Sequence, residues 1–423
     1  MIRRNFLKNT TAWAASASLI GTSQAWAGAN DRIQVACFGM GGRGNDRMMA
    51  AAKQDGVEVV AVCDPDETRM QSAAENLEKN AGNKPKMEFD LRKLLENKDI
   101  DVVIITTCNH WHALGTIWSC QAGKHVYVEK PVNHRFREGR QMVEVARKYN
   151  RLVQGGTQRR SDGLYKKAVQ LLHDGVIGDI YMTRCFYYGS REPIGVKAPK
   201  EPPEHIHWDL WLGPAPEQPY HENLAHYNWH WFWDFGNGEL GNNGSHIIDV
   251  MRWGSNKKLP VKIHSNGGRY GWDDQAQTPN TQICNFEFDD GSMMVCEIRN
   301  LPTNDELGAR FGGTFYGTEG YMTITDGKYE IFKGNSRKPE PDQGKLDSQE
   351  HMANFIDAVR ANDRSRLNAE VEEVFLSCAF CNLGNIAYRL DRTLSFDTEK
   401  EEFINDDEAN AMLTRENRKG FEA

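Results

Sequence analysis

The sequence predicts an α/β chain of two unlike halves: a doubly wound parallel sheet first, then an α/β domain with a large, mostly antiparallel open sheet. Three observations carry this expectation. Up to about residue 150, short apolar runs alternate with helical patterns, as parallel strands joined by crossover helices require. A glycine-rich turn separates the first apolar run from the first helix. From residue 179 onward, strand-like segments with turns between them predominate, and helical periodicity is confined to a few stretches.

Taken in order, Ile33–Phe38 reads as a buried strand that runs into Gly39-Met40-Gly41-Gly42-Arg43-Gly44. A helical pattern continues to about Lys53, and the strand Val57–Cys63 ends in Asp64, twenty residues past Gly44. Strand, glycine turn, helix, strand and terminal acid together make a dinucleotide fingerprint. Glycines permit the tight turn and close approach of a pyrophosphate, and the helix N-terminus faces its charge. A carboxylate at Asp64 accepts from ribose hydroxyls and repels a 2′-phosphate, which favours NAD over NADP. Helices are expected over 65–80 and 89–97, and a strand over 101–107 delivers Cys108-Asn109-His110-Trp111-His112 before a helix to Gln121. The strand Val126–Val128 then places Glu129, Lys130 and Pro131 at its carboxyl end, where ligands sit in an open parallel sheet. A helix over 137–149 and a strand over 152–154 complete this half.

The second half opens with a helix over 164–174 and a strand over 179–188. Residues 189–236 form a long irregular stretch rich in Trp and His, and loops of that length are commonly functional or intersubunit. Gly238 to Asp249 opens a helix. Strand-like segments follow at 261–265, 281–288, 292–299, 312–316, 320–325 and 329–333. Residues 334–346 read as a polar linker, helices at 349–361 and 368–389 close the fold, and an acidic tail ends it. The expected domains are 28–150, which binds the dinucleotide, 151–346, which binds substrate and forms oligomers, and 347–423, which completes the fold.

Charged residues make up 26% of the chain and the net charge is −8, so there is no basic footprint for nucleic acid. No apolar run is long enough to span a membrane. Arg3-Arg4-Asn5-Phe6-Leu7-Lys8, a weakly apolar run and Ala25-Trp26-Ala27 resemble a twin-arginine export signal over residues 1–27, with a periplasmic destination. The nine cysteines are odd in number and lie mostly in apolar elements, which indicates packing rather than a disulfide framework.

The motifs as a set resemble the glucose–fructose oxidoreductase / inositol dehydrogenase / rhizopine catabolism family (Gfo/Idh/MocA). The carrying residues are Gly39-x-Gly41-x-x-Gly44, Asn109-x-x-His112, Glu129-Lys130-Pro131, Gly155-Gly156-Thr157-Gln158, Gly244-Ser245-His246-x-x-Asp249 and Leu383-Gly384-Asn385-Ile386-Ala387. The resemblance covers nearly the whole chain after residue 27. It implies an NAD(P)-binding Rossmann half and a second half whose open sheet makes homodimers or homotetramers. It also implies hydride transfer between a nicotinamide and a carbinol carbon of a sugar, glycoside or cyclitol. Gly42, Arg43, Asp64, Asn109, His110, Trp111, His112, Glu129 and Gln158 would line the cofactor, and Lys130 would sit between nicotinamide and substrate.

Oxidising a secondary alcohol requires its hydroxyl proton to leave, which a positioned base does best. His246 is the candidate base, and Lys130 is the cation that orients the oxygen. Many members of the family carry Asp four residues before this histidine. Here that position is Asn242, which orients but carries no charge, so either Asp234 or Glu239 substitutes or the site does weaker or different redox chemistry. Arg159, Tyr187, Trp208, Trp229 and Ser245 are further candidates for the substrate pocket. His205, His207, His221, His226 and His230 suit hydroxyl contacts better than a metal, and no metal is expected. The leading expectation is a periplasmic oxidoreductase with tightly held NAD. The alternatives are a redox-neutral NAD-dependent glycosidase and a non-catalytic sugar-binding protein.

Overall fold

Six strands form the first sheet in the order β3-β2-β1-β4-β5-β6, all parallel: β1 (Ile33–Phe38), β2 (Val57–Cys63), β3 (Lys86–Glu88), β4 (Val102–Ile105), β5 (His125–Val128) and β6 (Val153–Gly155). The computed structural model describes residues 32–340 and 349–423. The expected export signal, residues 1–27, and part of the expected linker therefore lie outside the described residues. β4 is buried at every position, as a strand covered on both faces must be. The order reverses between β1 and β4, and the crevice beyond their carboxyl ends is where such sheets bind ligands.

The second sheet has nine strands in the order β13-β12-β11-β7-β10-β9-β8-β14-β15: β7 (Ile180–Tyr188), β8 (Lys262–Gly268), β9 (Thr281–Glu287), β10 (Met293–Arg299), β11 (Phe311–Gly317), β12 (Gly320–Thr325), β13 (Lys328–Lys333), β14 (Leu394–Asp397) and β15 (Glu402–Phe403). β7 and β10 pair in parallel and the remaining neighbours are antiparallel. Burial alternates along β9 and β10, so one face packs on helices and the other is open.

One helix, Val371–Leu390, joins the two halves. It is apolar nearly all round and buried along most of its length, in contact with β8 and with the helices Phe136–Lys148 and Ser245–Ser255. Where it meets Phe136–Lys148, a Cβ on Gly139 would lie 2.3 Å from the Phe375 ring, so the glycine sets the approach. Asp249 adds a buried bidentate pair with Arg160 and accepts from Ser377 Oγ at 2.6 Å. The helix His351–Ala361 returns to the first sheet, where Met352, Phe355 and Ile356 pack with Val35, Val59 and Tyr127.

Three local expectations need correction. β3 occupies a stretch with no strand signal, and the helix expected over 89–97 is only Leu91–Leu94, begun by the Asp90 cap and ended by a turn. The acidic tail is ordered structure: β14, β15 and the helix Asp407–Ala411, followed by buried Leu413 and Phe421. Its few apolar residues are too widely spaced to show a period. They acquire partners only in the fold, where Phe421 packs on Trp111 and Trp118.

Candidate active site

The glycine turn is forced by contacts. Gly39 has φ +92°, and a Cβ there would lie 2.7 Å from Thr107 N; a Cβ on Gly44 would lie 2.0 Å from Gly39 O. The helix Gly42–Ala52 then begins with no side-chain cap and no acid in its first turn, leaving its N–H groups and positive dipole end available. Asp64, at the end of β2, accepts from Met40 N and Asp66 N and so braces the turn. Burial pushes the Asp64 pKa up, against those two donors. Arg43 and Arg69 add positive charge beside the glycines, with Arg69 Nη1 2.9 Å from where a Cβ on Gly41 would stand. An uncapped helix end, a side-chain-free cradle and two guanidinium groups fit the pyrophosphate of a dinucleotide.

These residues form one wall of a cleft of about 600 Å³ between the sheets. β5 delivers Glu129 and Lys130 to its floor. Gln158 Nε2 donates to Glu129 Oε1 and to Tyr127 Oη, both at 2.9 Å, and the Lys130–Pro131 peptide is cis. Lys130 Nζ donates to Asn242 O at 2.5 Å and approaches Asn242 Oδ1 at 3.5 Å. Burial lowers the Lys130 pKa, while Glu129 and Glu239 work the other way. His112, at the start of the helix Asn109–Gln121, has Nδ1 2.7 Å from Pro131 O and Nε2 3.0 Å from Thr107 O, and burial pushes its pKa down to about 4, so the neutral ring donates to one of the two.

Asn242 lies in a π-helical turn, Leu240–Gly244, that precedes the helix Ser245–Ser255. Such wide turns recur at functional sites because they re-aim side chains. His246 follows, lining the cleft with Nδ1 unpartnered. Burial, then Lys130, Arg159 and Arg43, hold its pKa well below the usual histidine range, so the imidazole is neutral. Besides Glu129, the carboxylate near this centre is Glu239. It is fully buried and accepts from Asn242 Nδ2 at 3.3 Å, from Asn243 Nδ2 and from Arg191 Nη2 at 3.0 Å. Asp234 accepts from Gln218 at 3.2 Å and influences Arg135, Arg389 and Arg415 instead.

Of the residues singled out in the sequence, Gly39, Gly41, Gly42, Arg43, Asp64, Asn109, Trp111, His112, Glu129, Lys130, Trp229, Asn242 and His246 line the cleft. Others stand behind it. Gly44 lies under the turn, Gln158 braces Glu129, and buried His110 meets Trp211 O at 3.1 Å. Ser245 Oγ turns back to Gly241 O at 2.7 Å, and Trp208 stacks on Trp211 with ring centroids 4.7 Å apart. Arg159 is engaged by Asp326 and the Phe311 ring, and Tyr187 lies close to Glu239 and Arg191 without lining the cleft. Their short-range context does not show which way each side chain turns.

Arg69, Arg191, Trp211, Tyr227 and Asn243 carry no site signal in the sequence, and His226 has only that of a loop histidine; all six line the cleft. Most come from the irregular loop, which folds back on the first half: His226 Nε2 meets Asp66 Oδ2 at 2.7 Å, and Glu67 N donates to His205 O. Among the described residues, no three His, Cys, Asp or Glu side chains are grouped to hold a metal ion, and no helix is long and apolar enough to cross a membrane. All nine cysteines are free thiols.

A 3-2-1-4-5-6 parallel sheet with a glycine turn, sharing its crevice with a second, open-sheet domain, defines a two-domain nucleotide-binding oxidoreductase fold. Two family models match: an oxidoreductase family NAD-binding Rossmann fold over residues 33–157 and an oxidoreductase family C-terminal alpha/beta domain over residues 184–423. The chain belongs to the Gfo/Idh/MocA oxidoreductase family. It is 32% identical over 170 residues to inositol 2-dehydrogenase of Salmonella typhimurium, covering 40% of this chain and 49% of that protein. It is 33% identical over 162 residues to glycosyl hydrolase family 109 protein 1 of a Shewanella species, covering 37% and 35%. The matched stretches thus span half or less of these relatives. The WlbA dehydrogenase of Bordetella pertussis, solved with NADH and UDP-GlcNAcA, superposes with a TM-score of 0.67 at 18% identity, covering 86% of this chain and 99% of that one.

Proposed function

We propose that this chain is an exported, NAD-dependent oxidoreductase acting on a secondary alcohol of a sugar, glycoside or cyclitol, with the nucleotide held through successive turnovers. One observation carries the reading: Lys130, Asn242 and neutral His246 converge in the same cleft as the Asp64-braced glycine turn. The turn, Arg43 and Arg69 would hold the pyrophosphate, and Asp64 the ribose, which favours NAD over NADP. NAD, when bound, supplies the acceptor for the hydride leaving the carbinol carbon. Lys130 orients the substrate oxygen and lowers the cost of its developing negative charge. His246 takes the hydroxyl proton, for which a neutral imidazole is required.

Export is read from Arg3, Arg4 and the Ala25-Trp26-Ala27 site, and twin-arginine transport of folded protein suits a carried cofactor. Assembly into two or four copies belongs to the same reading. The register puts Ile283, Met293, Tyr316, Tyr321 and Phe332 on the open face of the second sheet, beside the paired Arg184, Glu297 and Arg299, a mixed surface suited to a second copy. A redox-neutral glycosidase is the second reading, favoured by the match to the family 109 protein. Asn243-Gly244-Ser245-His246 stands where the branch hydrolysing terminal N-acetylgalactosamine carries Tyr-Pro-Thr-His, which speaks against that specificity.

The test is to purify the exported protein with no added nucleotide, denature it and measure released nicotinamide by absorbance and mass spectrometry. Stoichiometric NAD, followed by turnover of paired sugar donors and acceptors, supports the reading; turnover of aryl glycosides instead supports the second. An empty protein that also fails to bind added NAD overturns both and leaves a binding protein.

A further inference from the structure

Arg191 and Tyr227 line the cleft and also a second open hollow of about 580 Å³. The two spaces therefore meet at this pair. Glu239 fixes the Arg191 guanidinium through Nε at 3.3 Å and Nη2 at 3.0 Å, and Nη1 donates to Tyr227 Oη at 2.9 Å. Those three bonds leave two of the five guanidinium N–H groups for a ligand. Glu239 cancels the guanidinium charge, so the pair offers directional donors with little net attraction for an acid. Tyr227 is 59% exposed, unusual for so large a ring. Around it stand Ser190, Glu192, Lys197 and Asn228; Glu192 is exposed and has no hydrogen-bond or ion-pair partner among the described residues.

An exposed aromatic ring ringed by hydroxyl-, carboxylate- and amide-bearing side chains matches a pyranose, which has one apolar C–H face and an equatorial rim of hydroxyls. We propose that the hollow is a second saccharide subsite. The substrate is then a glycoside or oligosaccharide of at least two units, with the reacting sugar at Lys130 and the next unit between Tyr227 and Glu192. This rests on the reading of the cleft as a sugar-oxidising site.

The test compares methyl hexopyranosides with the matching disaccharides on the full-length, nucleotide-loaded protein. Turnover is followed by nicotinamide absorbance, and binding by calorimetry. Glu192→Ala and Asn228→Ala are the variants, since neither residue lines the cleft. The expected result is a disaccharide KM about tenfold below that of the methyl glycoside. The variants should abolish that advantage with kcat and methyl-glycoside kcat/KM unchanged. Equal KM values in the wild type, or variants that change both substrates alike, overturn the subsite. If no sugar is oxidised, the functional reading falls, and calorimetry still decides: disaccharide binding weakened in both variants supports the subsite, and unaltered or absent binding refutes it.

Discussion

Moving a charge between positions 239 and 242 tests the electrostatics around Lys130. In the wild type two carboxylates raise the Lys130 pKa, Glu129 beside it in the chain and Glu239, and Asn242 contacts both Glu239 and Lys130 Nζ. Asn242→Asp would put a carboxylate 3.5 Å from Nζ, an attraction of about 5 kcal/mol at an effective dielectric of 20. The same substitution turns the 3.3 Å contact with Glu239 Oε1 into a like-charge pair, a repulsion of about 5 kcal/mol on the same footing. The two terms cancel, so this single variant should change the pH profile little and share a proton between the two acids. Glu239→Gln removes a charge that raises the Lys130 pKa. The sign follows: the cation becomes less stable, its pKa falls further, and the alkaline limb of kcat moves to lower pH, by about one unit or more. It also strips Arg191 of its partner, at about 3 kcal/mol of stability. The double variant keeps the wild-type number of carboxylates around Lys130, Glu129 and the new one at 242, without the clash, so the limb should return towards that of the wild type while the stability loss persists. The assay is kcat against pH for all four proteins, with urea midpoints alongside. If the Glu239→Gln profile superimposes on the wild type although stability has fallen, Glu239 is an anchor for Arg191 and nothing more.

Three further outcomes are expected. Lys130→Met should lower kcat by about 10²- to 10³-fold with nicotinamide still released stoichiometrically on denaturation; loss of the nucleotide as well would show that Lys130 holds the cofactor rather than the substrate oxygen. Gly44→Ala places a Cβ 2.0 Å from Gly39 O, so the turn must open, and the protein should purify without nucleotide; full retention would refute the cradle. Although burial raises it, contacts with His226, Thr68 and Arg69 N hold the Asp66 pKa well below the usual carboxylate range. A depressed carboxylate stabilises the fold above its unfolded pKa of about 4 and loses that contribution as the pH falls further. The stability gap between wild type and Asp66→Asn should therefore be constant near neutrality and shrink below about pH 4; a gap independent of pH in urea titrations would contradict the pairing.

Much of this molecule could be read before folding because the relevant signals are local. β4 is a continuous apolar run, since both its faces are covered, and β1 and β2, each apolar but for one residue, have the bounds the pattern implies. The glycine turn and Asp64 are encoded within a few residues of one another, as are Glu129, Lys130 and Pro131 at the end of β5. The helix bearing His246 was legible for the same reason. The acidic tail was not, because Leu413 and Phe421 find their packing on residues hundreds of positions away, where no period can announce them.

The site shows the same division. The sequence by itself determined the chemistry at hand: a nucleotide cradle, a lysine at a strand end, a histidine opening a helix, and an amide where a carboxylate is usual. It left Asp234 and Glu239 open as the missing charge. Only the tertiary structure places Glu239, and not Asp234, against Asn242. The π-helical turn carries Asn242 back over that side chain, whereas Asp234 turns towards a separate group of arginines. Only the tertiary structure brought Arg191, Tyr227 and His226 to the cleft, because residues 189–236 have no period and their places depend on contacts with Glu239 and Asp66 far along the chain. Local propensity and spacing specify which groups exist and on which elements they ride. Which of them meet is set by the packing of one half on the other, a long-range property that no window of sequence contains.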